Sequence, residues 1–219
     1  MKGNIKKLAV FVIIAAVAMF TAVATAWDNG HDGDHWKHFI WGKYAVTGSG
    51  NNLVSTTGFD ANYNPISCPV PPPPFGCAVF QDIQILSGGL TFYKDGTGHF
   101  AEINRGIDSP PLSYSLKTGD YDFIYTMTSE RTFKYQLKPG TYFQVLFLAG
   151  GQTGQTVSFE MDGHCEGVFS QDFQNVIVTC GPTTSPPDFI LTAVDPSSGA
   201  KLPIQGLLSE SIVGIWVNE

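Results

Sequence analysis

The sequence carries little charge, and few of its charges are positive. Charged side chains make up 14% of the 219 residues, with 12 Lys and Arg against 19 Asp and Glu. Three of the lysines stand within the first seven residues, so a chain without that segment has 9 basic and 19 acidic residues, a net charge of −10. Nucleic acids and anionic membranes bind clustered positive charge. We therefore expect neither of them as a partner.

Motifs of common catalytic sites are also missing. The chain contains no Gly-x-Ser-x-Gly, no His-Glu-x-x-His and no glycine-rich phosphate loop. His99 and Glu102 are separated by an odd number of residues, so in one strand they lie on opposite faces. His164 precedes Cys165, which we expect to be oxidised, and we interpret this histidine as a turn residue. The sequence thus predicts no catalytic residue and no cofactor.

The one long apolar run lies at the N-terminus. Three lysines precede an apolar stretch from Leu8 to Phe20, and the triplet Ala24-Thr25-Ala26 follows. A basic segment, an apolar segment and a small-x-small site are the three parts of a secretory signal. The stretch is shorter than the roughly 20 residues of a spanning helix. We predict a signal peptide over residues 1–26 and a mature protein that is secreted or periplasmic.

Four cysteines are present, and none of them forms a Cys-x-x-Cys pair. An even number of cysteines in an exported protein predicts two disulfides, although four cysteines permit three pairings. We favour Cys68–Cys77 and Cys165–Cys180, because each pair closes a short local loop at low entropic cost. The alternative is a metal site.

Residues 27–38 are polar, contain glycine and lack any helical or strand period, so we interpret them as a flexible arm. Imidazole and carboxylate side chains in this arm could bind zinc or copper. A solvated linker is the alternative, because a metal site also needs fixed geometry. The candidate ligands are His31, His35 and His38.

From residue 39 to the C-terminus the chain shows short alternating runs separated by turn residues, and no sustained helical period. In Tyr121–Met127 and in Thr132–Lys138, every second side chain is aromatic or aliphatic, which is typical of a half-buried strand. Asp95-Gly96 and Pro139-Gly140 predict tight turns between strands, and Asp162-Gly163 predicts a third. Further strands are predicted at Phe39–Thr47, Val79–Leu86, Leu90–Lys94, His99–Asn104, Thr141–Leu148, Thr156–Met161, Cys165–Ser170, Asn175–Cys180, Phe189–Val194 and Ser211–Val217.

This pattern predicts a single all-β domain over residues 39–219, an antiparallel up-and-down barrel of about 8–10 strands, with a β-sandwich as the alternative. The main interruption is a loop at 48–78, which holds four consecutive prolines and two cysteines. Strand length, prolines and the Val217-Asn218-Glu219 end argue against an outer-membrane barrel. We expect a monomer that does not insert into a membrane.

Four motifs, which consist largely of turn glycines, cover most of the predicted mature chain. They are Gly42–Gly50, Gly88–Gly98, Asp162–Gly167 and Ile212–Trp216. These motifs resemble those of uncharacterised secreted bacterial proteins with calycin-like or allene-oxide-cyclase-like barrels. The sequence departs from the family pattern in the spacing of Asp162 from Cys165 and in the loop that contains the prolines. The resemblance implies an eight-stranded barrel and no particular activity.

Aromatic residues on the predicted inward faces provide the remaining functional hypothesis. Barrel interiors commonly hold small ligands, so we expect an exported barrel that binds a small apolar molecule. The first alternative is a structural or surface-interaction module with a filled core, and the second is a cyclase-type enzyme. The predicted ligand-lining residues are Phe92, Tyr121, Phe123, Tyr125, Phe133, Tyr135, Tyr142, Phe159 and Phe189.

Overall fold

A computed structural model describes residues 40–72, 76–109, 113–150, 153–181, 189–195 and 197–217. All of them belong to one compact unit that begins at Trp36. The predicted signal peptide and the predicted metal ligands His31, His35 and His38 lie outside the described residues. Within those residues, no helix is long and apolar enough to span a membrane.

The fold is all-β, as the alternating runs predict, and ten strands form one antiparallel sheet that closes on itself. Closure occurs where the first strand pairs with the last, from Tyr44 opposite Trp216 to Ser55 opposite Gln205. The strands are β1 Gly42–Ser55, β2 Val79–Phe92, β3 Thr97–Ser109, β4 Ser113–Met127, β5 Thr132–Leu137, β6 Tyr142–Ala149, β7 Thr156–Phe169, β8 Asn175–Cys180, β9 Phe189–Val194 and β10 Lys201–Trp216.

The barrel has eight strand positions, and two of these are each shared by two short strands in line. Strands β5 and β6 together fill the position between β4 and β7, and β8 and β9 together fill the position between β7 and β10. Six strands therefore run the full length of the barrel. The two extra strands result from interruptions of the remaining two positions.

Pro139-Gly140 forms a turn, as predicted, but the turn does not make a hairpin of the two strands that it joins. Gly140 has the positive φ of 78° that such a turn requires, but the chain does not reverse there, because β5 and β6 are both antiparallel to β4. The dipeptide bulges out of one strand position. The prediction of a turn at Asp162-Gly163 was wrong, because β7 continues through both residues and through His164.

The loop predicted from residue 48 begins later than expected, since β1 continues to Ser55. The glycines that indicated a turn allow two strands to approach closely. A Cβ at Gly48 would lie 2.4 Å from the carbonyl oxygen of Ser211, and one at Gly50 would lie 2.7 Å from Nε2 of Gln84. Glycine in a strand often marks such close backbone approach. By contrast, Asp95-Gly96 forms the predicted turn between β2 and β3, with φ of 85° at Gly96.

Both favoured disulfides are present. Cys68–Cys77 lies in the loop between β1 and β2, and Cys165–Cys180 joins directly opposed residues of β7 and β8. Cys165 and Cys180 are almost fully buried, and Sγ of Cys180 lies 3.4 Å from the hydroxyl of Tyr135. The second bridge is thus part of the core, and it stands beside the place where β8 gives way to β9. Two disulfides indicate an oxidising compartment.

The two bridges should differ in their effect on stability. Replacing Cys165 and Cys180 by alanine removes a 15-residue crosslink and buried sulfur atoms, and should lower the free energy of unfolding by about 3–5 kcal/mol. Replacing Cys68 and Cys77, which span 9 residues in a loop, should lower it by about 2–3 kcal/mol. Urea denaturation of both variants tests this. Equal losses would contradict the assignment of Cys165–Cys180 to the core.

Candidate functional site

The interior of the barrel is divided into an aromatic end and a polar end. At the aromatic end, Phe92 makes edge-to-face contacts with five rings, at centroid distances of 5.1–6.0 Å. The hydroxyl of Tyr125 donates to the carbonyl oxygens of Ile40 (2.8 Å) and Tyr93 (2.7 Å), and that of Tyr44 donates to Phe173 (2.9 Å). Burial raises the pKa of Tyr125 to about 12. This end is therefore closed by side chains that are packed and hydrogen-bonded.

Most of the predicted ligand-lining residues lie here or beside this end. Phe159 is half-buried and packs against Phe143 at 6.2 Å. Tyr142 was wrongly placed, because it alternates with the buried residues Thr141 and Phe143 and is 49% exposed on the outer face of β6. Contact of the others with a ligand stays a prediction. The buried members are Phe92, Tyr121, Phe123, Tyr125, Phe133, Tyr135 and Phe189.

At the polar end, inward positions of β1–β4 and β10 carry polar and charged side chains that are nearly inaccessible to solvent. We call these residues the polar cluster. It contains four carboxyl groups and one lysine, together with amides and hydroxyls. Its members are Asn52, Asp82, Gln84, Glu102, Asn104, Asp108, Ser113, Ser115, Lys117 and Glu210.

Lys117 is the centre of a hydrogen-bond network in the polar cluster. Its ammonium group donates to Oδ2 of Asp82 and, at 3.2 Å, to Oε1 of Gln84. Oδ2 of Asp82 also accepts from Nδ2 of Asn52 (2.8 Å), and Nε2 of Gln84 donates to Oε1 of Glu210 (3.3 Å). The network therefore joins β1, β2, β4 and β10. A buried charge is tolerated when it is paired in this way.

The other carboxyl groups have raised pKa values. Burial raises the pKa of Glu102 to about 7, although Asn104, Tyr121 and Lys117 lower it. Burial and the neighbouring charge of Glu102 raise the pKa of Glu210 well above its usual value. Burial, and then the charge of Asp82, raise the pKa of Asp108, which lies directly opposite Asp82 on the next strand. The carboxyl groups of the polar cluster thus lose their protons at a higher pH than exposed carboxyl groups do.

Five buried oxygen atoms of the polar cluster have no hydrogen-bond partner among the described residues. Buried polar atoms are satisfied in nearly all proteins, by protein groups, water or ligands. An unsatisfied buried polar group costs about 1–3 kcal/mol, so these atoms need a partner from outside the described protein groups, which for the amide and carboxylate oxygens is a donor. They are Asn52 Oδ1, Asp82 Oδ1, Glu102 Oε2, Asn104 Oδ1 and Ser115 Oγ.

Gly106 provides a recess on which part of the polar cluster converges. A Cβ at this inward position of β3 would lie 2.6 Å from Oδ1 of Asp82, 2.7 Å from Oγ of Ser115 and 2.8 Å from Nζ of Lys117. Two of the five unpartnered oxygens therefore face the same side of the glycine. Any larger residue would displace them.

The opposite wall of the same end is apolar. It is built from β6, β7, β9 and the first half of β10, where the buried inward side chains carry no charge. The interior at this end is therefore amphipathic, with a polar wall facing an apolar one. The apolar residues are Phe143, Val145, Met161, Leu191, Ala193 and Leu208.

The chain matches no protein-family model, and no curated protein or solved structure is significantly similar to it. The closed eight-position barrel that the resemblance implies is present, but no family, relative or fold neighbour supports a calycin-like or allene-oxide-cyclase-like assignment. The function must be argued from the residues of this chain.

The outer surface offers weaker candidates. An open groove of about 600 Å³ lies over β2–β4, beside Tyr142 and Gln144. His99 points outward, as its odd separation from Glu102 predicts, and contacts Asp122 (3.0 Å) and Asp120 (3.3 Å). Across the described part of the chain, no three His, Cys, Asp or Glu side chains are grouped to hold a metal ion.

The polar cluster was not predicted from the sequence, because isoleucines on the outer face of β2 alternate in the way that buried core residues usually do. In β2, Ile83 and Ile85 alternate with Asp82 and Gln84, and it is the isoleucines that are exposed, at 58% and 68%. A signal was present, since the inward aromatics fix the phase of each strand. Counting back from Phe92 in steps of two reaches Gln84 and Asp82, and counting back from Tyr121 reaches Lys117.

Gly106→Ala should disrupt the polar cluster, whereas Gly89→Ala should not. The new methyl group at position 106 would overlap Asp82, Ser115 and Lys117, and should lower the free energy of unfolding by about 1–3 kcal/mol. At Gly89, in the same sheet, the nearest atoms would be 4.0 Å away, so this variant is the matched control. Urea denaturation measures both. A harmless Gly106→Ala would contradict the close packing around this glycine.

Glu102 should make the protein more stable at pH 5 than at pH 8. Its pKa of about 7 in the folded state exceeds the ordinary value of 4.5. The folded state therefore binds more protons between these values, and stability is lost as the pH rises through 7. The full effect is roughly 3 kcal/mol. Urea denaturation from pH 4.5 to 8 tests this prediction.

Glu102→Gln should reduce that pH dependence, and the remainder should come from Asp108 and Glu210, whose pKa values burial also raises. The acids with lowered pKa values, such as Asp60, Asp95 and Asp195, act in the opposite direction but titrate below pH 4 and do not affect this window. An unchanged slope in Glu102→Gln would show that Glu102 is ionised in the folded protein throughout the range.

Proposed function

We propose that this protein is exported by its N-terminal signal sequence and binds a small amphipathic molecule at the polar end of the barrel. One observation carries the proposal: five buried oxygens without a protein partner stand opposite an apolar wall. Binding pockets are mainly apolar, with a few convergent polar groups that orient the ligand. The polar wall would hold the head of the ligand, and the wall of β6, β7 and β9 would contact its apolar part.

Two further features support this role. The Asp82–Lys117 network and the Gly106 recess hold the acceptor side chains on strands, and strands position a site more rigidly than loops do. Both disulfides fit a protein that works in an oxidising compartment. The proposal modifies the expectation of an apolar ligand, because the polar cluster requires a ligand with a polar end.

A structural module with a filled core is the second candidate. The packing of the aromatic end favours it, because rings such as Phe123 and Tyr135 are only 4.4 Å apart between centroids. In that case, the five oxygens would bind internal waters, which buried polar groups commonly do.

The two candidates differ in whether the folded protein binds a solute stoichiometrically. We expect native mass spectrometry of protein expressed with its own N-terminal segment to show a discrete extra mass that is lost on denaturation. Calorimetric titration with hexanol, hexanoate and hexylammonium provides a second readout that does not depend on the host. At least one probe should bind 1:1 to the protein and to Gly89→Ala, and at least tenfold more weakly to Gly106→Ala.

A bare polypeptide mass together with no saturable binding of any of the three probes would overturn the binding proposal in favour of a filled core. Equal binding to Gly106→Ala and to Gly89→Ala would place the bound probe somewhere other than the polar cluster.

A further inference from the structure

We propose that the polar end of the ligand is an organic cation that donates several N–H hydrogen bonds, a primary ammonium or a guanidinium group. This inference rests on the proposed function and names the chemical class of its ligand. It is drawn from the donors, the charges and the geometry of the polar cluster.

The hydrogen-bond inventory of the polar cluster lacks donors. All five unpartnered atoms are oxygens, and four of them are amide or carboxyl acceptors. In contrast, the donors of Lys117, Asn52 and Gln84 are directed at partners within the polar cluster. Among the described residues, no buried side-chain nitrogen is left unpartnered. The remaining hydrogens of the polar cluster are the O–H groups of Ser115 and of any protonated carboxyl group, and ionisation removes the latter. A ligand that supplies hydrogens complements the ionised cluster, and an ammonium group supplies three while accepting none.

The charge of the polar cluster favours a positive ligand. Asp82, Glu102, Asp108 and Glu210 face a single lysine inside the barrel. Only Asp82 forms an ion pair with Lys117. Burial raises the pKa values of the remaining carboxyl groups, and the charge of Lys117 offsets this only in part. An anionic ligand would add repulsion to this group, whereas a cation would provide the missing countercharge.

The unpartnered acceptors are also arranged around one region of the inner wall. Asn104 is opposite Lys117, and Gly106 is opposite Ser115, on adjacent strands. Asn52 is opposite Asp82 on the other side of β2. A cation bound beside Asp82 and Ser115 would therefore stand among oxygens contributed by β1, β2, β3 and β4. These acceptors come from several strands and lie on the same wall of the barrel. A group with several N–H donors can therefore bond to more of them than a hydroxyl, which has a single O–H donor.

A metal ion fits this arrangement less well than an organic cation. Hard metal ions require several oxygen ligands within 2.6 Å, and the described acidic side chains are not grouped closely enough to provide them. The apolar wall opposite, with Phe143, Met161 and Leu191, has no role in metal binding. It can contact the carbon skeleton of an amine.

Binding of a cation should release protons, because it stabilises the ionised forms of the carboxyl groups. The groups that face Glu102 are Lys117 and Tyr121 of β4, Tyr135 of β5 and Glu210 of β10. Burial raises the pKa values of both tyrosines well above 10, so they stay neutral and Glu102 is the group that titrates near pH 7.

The test compares hexylammonium, hexanol and hexanoate by calorimetric titration of the folded protein. Hexylammonium should bind at least tenfold more tightly than hexanol at pH 7.5, and hexanoate most weakly. Its Kd should fall by up to tenfold per pH unit from pH 5.5 to 7.5, and buffers of different ionisation enthalpy should reveal release of about one proton.

Two variants make the test specific. Glu102→Gln should remove the pH dependence and weaken hexylammonium at least fivefold at pH 7.5, with little effect on hexanol. Asp122→Asn, which removes an exposed carboxyl group on the outside of β4, is the matched control. It should change neither the pH dependence nor the affinity for hexylammonium. A cooperative unfolding transition in each variant establishes that both are folded.

Equal affinities for hexylammonium and hexanol would overturn the cationic ligand and leave the binding proposal intact. So would calcium binding that releases the same proton and excludes hexylammonium, because the site would then be a metal site. Absence of binding by all three hexyl probes would overturn the binding proposal itself.

Discussion

The ion pair between Lys117 and Asp82 is the interaction on which the polar end of the barrel depends. Aliphatic and aromatic side chains fill the other end of the barrel, but at this end β1–β4 direct amides and carboxyl groups inward. Removing one partner of a buried ion pair typically costs about 3–5 kcal/mol, because the other charge is left uncompensated. Through Asp82 and Gln84, this pair also fixes Asn52 and Glu210. One ammonium group therefore orders side chains from four strands.

The network has room only because small residues stand between its members. Gly106 lies beneath Asp82, Ser115 and Lys117, and Gly119 lies so close to Glu102 that a Cβ would approach its Oε1 to 2.9 Å. Glycine weakens a strand through its conformational entropy. Hydrogen bonds along two neighbouring strands offset that cost at each site. The glycines therefore lower the stability of the inner strands, and they allow polar side chains to pack directly against the backbone.

The number of strands and the closed barrel were predictable, because apolar and polar side chains alternate with a period of two residues in most of the sequence. The path of the chain between strands was less so. Pro139-Gly140 has the local chemistry of a reverse turn, and only pairing with β4 and β7 shows that the chain continues in one direction. Local propensity does not contain this information, since the decisive hydrogen bonds come from residues that are distant in sequence.

The polar cluster illustrates the same limit. Within β2 alone, Ile83 and Ile85 could face inward as well as Asp82 and Gln84, and burial of the isoleucines is the more usual choice. The other half of the same strand fixes the opposite orientation, because Phe92 points inward and packs against the buried aromatic rings. The cysteine pairs were predictable for the opposite reason, because each closes a short segment.

Pairing of β1 with β10 along twelve residues has a consequence for how the molecule assembles. The first strand of the barrel finds one of its two neighbours only after nearly the whole chain is available, so the fold has a high contact order and should form slowly. Until the last strand arrives, both edges of the growing sheet expose unpaired amide and carbonyl groups, which invite intermolecular association. Chaperones that shield sheet edges would therefore matter more for its folding than for most helical proteins of this size.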